Sequence, residues 1–284
     1  MSTRFLFSMI HWLEESAQNI TEPPEAFLSA AELETYRAFR FEKRRTDWLL
    51  GRWTAKRLLQ AVMLQETNEL LARDALEIFN DADGVPFARI RSQRAAWNLS
   101  ISHSNQHALC ACSPLPLGER LGVRGIGADL ELIEPREDYL VRDYFTAREQ
   151  ARVDASTPAQ RDLVVTAIWS AKEAALKAIR KGLSVDTRAV EISLALFEQA
   201  PAQWTRFEIE FAFEQAETFS GWWRVQAGFV LTIVGASDDA PDEFPTAPEV
   251  LLLELGVKND QEHGSVHRRI AETTRHHARH SKRD

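Results

Sequence analysis

An α+β fold is predicted by three observations. Helix-spaced and strand-alternating segments occur in both halves of the 284-residue chain. The strands follow one another across short turns, as antiparallel strands do. The length suits one large domain or two medium domains, and the 44% apolar and 27% charged fractions are those of a globular protein. A first strand is expected over residues 4–10, then a connection through Pro23-Pro24 and a helical region over 29–71 broken near Phe41. Residues 80–86 (Asn-Asp-Ala-Asp-Gly-Val-Pro) read as a turn. Strands over 97–101 and 107–111 are expected to flank a Ser102-His103-Ser104 turn. The Pro-containing loop 114–118 precedes a strand through Asp129 and marks a boundary between subdomains. Beyond it come a helix over 135–154, a long helix over 161–180, and strands over 189–194, 206–213, 222–227 and 229–235. The expected division is 1–118, 119–237, and a linker with a disordered basic tail over 238–284. No sequence repeat relating the halves is detected.

Composition narrows the function. Net charge is −8, and residues 268–284 carry six Lys/Arg against two acids, so the rest of the chain is more acidic still. That balance argues against nucleic acid as a partner. No apolar run is long enough to span a bilayer, and the apolar start is followed by Glu14-Glu15 without a cleavage-like site, so a cytoplasmic protein is expected; a monomer is expected as well. Cys110 and Cys112 read as buried free thiols, because a structural zinc site needs four ligands.

Two segments carry the chemistry. In Gly125-Ile126-Gly127-Ala128-Asp129-Leu130-Glu131, strand alternation puts Asp129 and Glu131 on one face. In Trp169-Ser170-Ala171-Lys172-Glu173-Ala174-Ala175-Leu176-Lys177, helical spacing stacks Trp169, Glu173 and Lys177. Taken singly, the first reads more readily as a solvated edge and the second as a surface ion pair. Side by side they bring three carboxylates together, a cluster that calls for a hard cation with room for water and phosphate, which suits Mg²⁺. Gly125-x-Gly127 is too short for a dinucleotide fingerprint.

These segments, with the basic stretch Lys43-Arg44-Arg45-Thr46-Asp47-Trp48-Leu49-Leu50-Gly51-Arg52 and with Leu99-Ser100-Ile101-Ser102-His103-Ser104, resemble in order the motifs of the surfactin-type 4'-phosphopantetheinyl transferases. Phe145-Thr146 with Glu149, and Lys181-Gly182-Leu183, also resemble family stretches. The resemblance implies two similar α/β subdomains related by pseudo-twofold symmetry. It implies transfer of phosphopantetheine from coenzyme A to a serine of an acyl, polyketide or peptidyl carrier protein, with release of 3',5'-ADP.

By the same resemblance, Asp129, Glu131 and Glu173 hold Mg²⁺ on the pyrophosphate. Glu173 is also the expected base for the serine, and Lys177 and Lys172 offset charge on the leaving side. Arg44 and Arg52 are implied at the 3'-phosphate, with Ser102 and His103 at the phosphates; Lys56 is read as a surface neighbour. Val85 departs from the family, many members of which have lysine there for the nucleotide end. A binding module that kept the fold and a Mg²⁺-dependent phosphodiesterase are the competing readings. The carrier is expected to dock near the Trp169–Lys177 helix.

Overall fold

The computed structural model describes residues 10–115, 125–181, 185–195, 200–213 and 218–236. The expected first strand, most of the boundary loop, Gly182-Leu183 and the basic tail lie wholly or largely outside the described residues. Strand β1 (His11–Ser16) is followed by helices α1 (Ala30–Ala38) and α2 (Glu42–Thr67), separated near Phe41 as expected. Ser29 starts α1 with a capping box: its hydroxyl accepts from the Glu32 amide while the Glu32 carboxylate accepts from the Ser29 amide. Asn68, in the left-handed conformation, ends α2.

Sequence reasoning missed the next three strands, β2 (Leu76–Asn80), β3 (Pro86–Ile90) and β4 (Gln93–Arg94). Their signal was present: Leu76 and Ile78 alternate with the less buried Glu77 and Phe79 into the Asp81–Gly84 turn, where Gly84 has φ 82°. Strands β5 (Trp97–Ser104) and β6 (His107–Pro114) form a hairpin. Ser102-His103-Ser104 is therefore strand rather than turn. The turn falls at Asn105-Gln106, whose φ values of 44° and 64° match the twist that a two-residue hairpin needs.

The second half opens with β7 (Ile126–Leu132). The single helix expected over 135–154 is two helices, α3 (Asp138–Tyr144) and α4 (Ala147–Asp154). Thr146 interrupts it by building a second capping box, with Glu149, that starts a new helix. Helix α5 (Pro158–Ala178) and strands β8 (Val190–Leu194), β9 (Thr205–Phe211), β10 (Phe219–Gln226) and β11 (Phe229–Ala236) follow. The arrangement is α+β, as the sequence predicted.

The halves repeat one another. In the second, five antiparallel strands run in the order β7-β11-β10-β9-β8; in the first, β1-β6-β5 and β2-β3-β4 are separate sheets in the matching chain order. The long helix of each half contains W-[ST]-A-K, as Trp53-Thr54-Ala55-Lys56 and Trp169-Ser170-Ala171-Lys172. Each of these lysines is fully buried against its half's capping-box glutamate, Lys56 to Glu32 at 2.5 Å and Lys172 to Glu149 at 2.8 Å. The repeat escapes notice in the sequence because so few residues carry it.

Trp12, Leu109 and Ala111 of one half pack against Ile126, Ala128, Leu130, Phe229, Leu231 and Ile233 of the other, so the two sheets share a core. On its other face β7 presses onto α5 so closely that a Cβ on Gly127 would meet the Ala174 carbonyl oxygen at 1.8 Å. Helix backbone cannot yield to that contact. Gly127→Ala should therefore destabilise the protein by about 3 kcal/mol or more, measurable by denaturant unfolding.

Candidate functional site

Strand alternation splits the Ser102-His103 pair between two places. His103 and Ile101 line a cavity of about 730 Å³ whose other walls include Phe39, Lys43, Arg44, Trp48, Gly51, Arg52 and Asn80. Ser102 faces the opposite way, across to β7, where its hydroxyl donates to Asp129 Oδ1 at 2.8 Å.

In the cavity, helical spacing aims Arg44, Trp48 and Arg52 along one side of α2. The Arg52 guanidinium stacks on Trp48 at 4.6 Å, and it donates from Nε to the Ile78 carbonyl at 3.1 Å and from an Nη to Asn80 Oδ1 at 3.2 Å. Burial pushes Arg52 down to about 10, still far above neutrality, so it remains a cation. These two bonds engage Nε and one Nη of the fork. Lys43 and Arg44 both reach the cavity, whereas Arg45 lies over Tyr36 at 5.7 Å. Phe39, Phe41 and Asn80 were not anticipated as lining residues. Gly84 and Pro86 flank the cavity, but Val85 between them is not among the lining residues.

The second place is the seam between β5, β7 and α5. Lys177 Nζ donates to Asp129 Oδ1 at 2.6 Å, to Ser102 Oγ at 3.2 Å and to the Ala128 carbonyl at 3.2 Å. Asp129 is 3% exposed, and its other oxygen, Oδ2, is buried with no hydrogen-bond partner. Such an orphan acceptor is unusual and asks for a positive ligand. Glu131 pairs with Arg136 at 2.7 Å. Burial raises the Glu131 carboxyl above its ordinary range, helped by Asp129, and Arg136 opposes the rise. Burial likewise raises Glu173; Lys177 opposes this, while Asp129 and Glu131 add to it. The three carboxylates thus share one electrostatic neighbourhood.

They are not closed into a cage. Among the described residues no three His, Cys, Asp or Glu side chains are gathered closely enough to hold an ion as they stand, because Lys177 and Arg136 draw Asp129 and Glu131 to themselves. The donor chemistry still fits Mg²⁺: the set is all oxygen, and Asp129 Oδ2 has nothing else to bind.

Lys172 is not brought to this site, contrary to expectation. It is fully buried, with Glu149 at 2.8 Å and the Thr187 carbonyl at 2.9 Å, and it also donates to the Val190 carbonyl. Lys56, expected at the surface, is equally buried, and donates to the carbonyls of Phe27 at 2.8 Å and Arg73 at 3.0 Å besides Glu32. An ammonium surrounded in this way cannot also reach a phosphate.

The model of the 4'-phosphopantetheinyl transferase superfamily matches residues 125–234. A holo-[acyl-carrier-protein] synthase of Lactococcus lactis is 39% identical over 85 residues, 30% of this chain and 71% of that protein. The chain belongs to the 4'-phosphopantetheinyl transferase superfamily. The 4'-phosphopantetheinyl transferase HetI of Nostoc is 27% identical over 180 residues, covering 63% of this transferase and 69% of HetI. A crystal structure of a Bacillus anthracis holo-(acyl-carrier-protein) synthase in complex with CoA (3',5'-ADP) superposes with a TM-score of 0.33 and 20% identity, over 39% of this chain and 99% of that one. A score that low adds nothing to the assignment. No helix among the described residues of the transferase is long and apolar enough to cross a membrane.

The raised carboxyls make a stability prediction. A carboxyl whose folded pKa lies above its unfolded value costs nothing at pH below both, and the cost builds as pH rises from the unfolded value through the folded one. In chelator-treated protein, Glu173→Gln should unfold at the parent's temperature near about pH 3.5 and at a higher temperature near about pH 8, as read by thermal melts.

Proposed function

We propose that this transferase is of the surfactin type and that its reaction runs at the Ser102, Asp129, Glu131, Glu173 and Lys177 seam, fed by coenzyme A held in the α2 cavity. The enzyme moves the 4'-phosphopantetheine group from coenzyme A to a carrier-protein serine, with 3',5'-ADP as the other product. The observation that carries the reading is the bridge from Lys177 to both Asp129 and Ser102. It joins a residue of each half around a buried carboxylate with one oxygen to spare.

Asp129, Glu131 and Glu173 are the residues that would hold Mg²⁺, which when bound neutralises the pyrophosphate and polarises the attacked phosphorus. The chain's own groups do the rest. In the cavity, the Arg52 fork, fixed by Trp48, Ile78 and Asn80, and Arg44 with His103 grip the 3'-phosphate; guanidinium geometry suits a phosphate's paired oxygens. Positioning of this kind is most of what phosphoryl transfer asks of a protein. At the seam, Lys177 and the Ser102 hydroxyl steady the pyrophosphate end. Glu173 accepts the proton of the carrier serine through an oxygen left free of the metal. Lys177 then offsets the charge that grows on the leaving phosphate.

The carrier docks on the second half beside α5. Tyr139 is 53% and Tyr144 37% exposed there, and Tyr144 meets Trp169 edge-on at 5.6 Å, one helical turn before Glu173. Exposed aromatic groups of this kind are common anchors for a partner.

Two experiments test the reading. Asp129→Ala, Glu131→Ala and Glu173→Gln should each lower transfer from coenzyme A to an apo carrier protein by about two orders of magnitude or more, and pairs of them should cost little beyond one. Near-parental transfer by Asp129→Ala would remove the seam from the reaction. If Arg52 reads the 3'-phosphate, dephospho-coenzyme A should be poorer than coenzyme A by roughly 10- to 150-fold, the scale of one charge-assisted contact. Arg52→Ala should shrink that gap, and equal discrimination by parent and variant would exclude Arg52 from the role.

A further inference from the structure

The two buried ammonium–carboxylate pairs are built alike. In each half the capping-box glutamate spends one oxygen on the lysine of the long helix and the other on a backbone amide of the facing strand: Glu32 Oε1 on Ile78 at 2.9 Å, Glu149 Oε1 on Ile192 at 2.8 Å. Each lysine spends its remaining protons on loop and strand carbonyls. A charge buried so completely is held only where every proton and lone pair finds its partner, so each pair fixes the rotation and height of its helix against its sheet.

What each pair holds in place differs. In the first half, Ile78 gives its backbone N–H to Glu32 and takes the Arg52 Nε at its carbonyl, 3.1 Å away. The pair therefore sets the residue that closes the cavity. The residue after Lys56 is Arg57, which satisfies Glu15 of β1 at 2.6 Å, so the first half presents a neutralised ion pair toward its first strand. In the second half, the residue after Lys172 is Glu173, one helical turn before Lys177, whose Nζ donates to Asp129 Oδ1 of β7 at 2.6 Å. The same device, repeated, aims an ion pair at one strand and a catalytic carboxylate at the other.

We infer that the two pairs are positioning devices with separate duties: Glu149–Lys172 sets Glu173 and Lys177 for metal binding and transfer, and Glu32–Lys56 sets Arg52 for coenzyme A binding. Neither pair touches the substrate. The inference rests on the assignment of the seam and the cavity given above.

The test compares two paired replacements in the full-length enzyme, Glu149→Gln with Lys172→Met and Glu32→Gln with Lys56→Met, since removing both charges avoids stranding one of them. The first should lower kcat by about 10-fold or more and weaken binding of Mg²⁺ titrated into chelator-treated enzyme, with the KM for coenzyme A within about 2-fold of the parent. The second should raise both the KM and the directly measured Kd for coenzyme A by about 10-fold or more, with kcat and Mg²⁺ binding within about 2-fold. Thermal melts establish that each variant is folded. If either is not, Thr146→Ala and Ser29→Ala, which loosen the same two boxes by one hydrogen bond, carry the same comparison. Coincident signatures in the two variants, or folded variants with parental constants, overturn the inference. Its failure is distinct from failure of the catalytic reading: active Glu173→Gln would defeat the latter, while the Mg²⁺ and coenzyme A binding constants still judge the former.

Discussion

The rest of the structure depends on burying a lysine ammonium beside a glutamate under each sheet. The desolvation of two ions is offset only if the geometry is close to complete, and here it is: both glutamate oxygens and the lysine protons have partners from helix cap, loop and strand. Burial pushes both Lys56 and Lys172 below the usual lysine range, and the glutamate beside each holds it up. Such a pair tolerates little sliding of the helix. The long helices α2 and α5 therefore present fixed rows of side chains, and function is written on those rows.

The two rows have diverged. On α2 the row of Arg44, Trp48 and Arg52 lines a cavity, and the residue beyond the locked lysine is consumed in an ion pair with Glu15. On α5 the corresponding stretch carries Glu173 and Lys177 toward a strand with two carboxylates. In β1 the acid of comparable burial, Glu15, is held by Arg57 in that ion pair. A duplicated frame thus leaves one chemical centre, and the opposite half supplies its remaining piece, Ser102, through the shared core.

Acidic crowding at that centre is restrained by basic groups. Lys177 and Arg136 each take one carboxylate, while Glu173 responds to the buried setting by a raised pKa. A site so arranged favours a cation, and the same burial raises the Glu173 carboxyl above its ordinary range.

Alternation and helical spacing determined much of this from the sequence. Asp129 and Glu131 share a face because strands have a period of two, and Trp169, Glu173 and Lys177 share one because helices turn every few residues. The order of motifs carried the family, and both the break near Phe41 and the hairpins of the second half were legible. Other features belong to tertiary structure alone. Lys172 sits beside Glu173 in the chain, yet points into the core, because its partner Glu149 comes from another helix. Lys56 has the same fate through Glu32. Ser102 and His103 are adjacent, yet face different sites, because the hairpin turn lies past them at Asn105-Gln106 and leaves both in the strand. Which of two neighbouring polar residues faces the seam or cavity and which is locked in the core depends on partners distant in sequence, and local periodicity cannot report them.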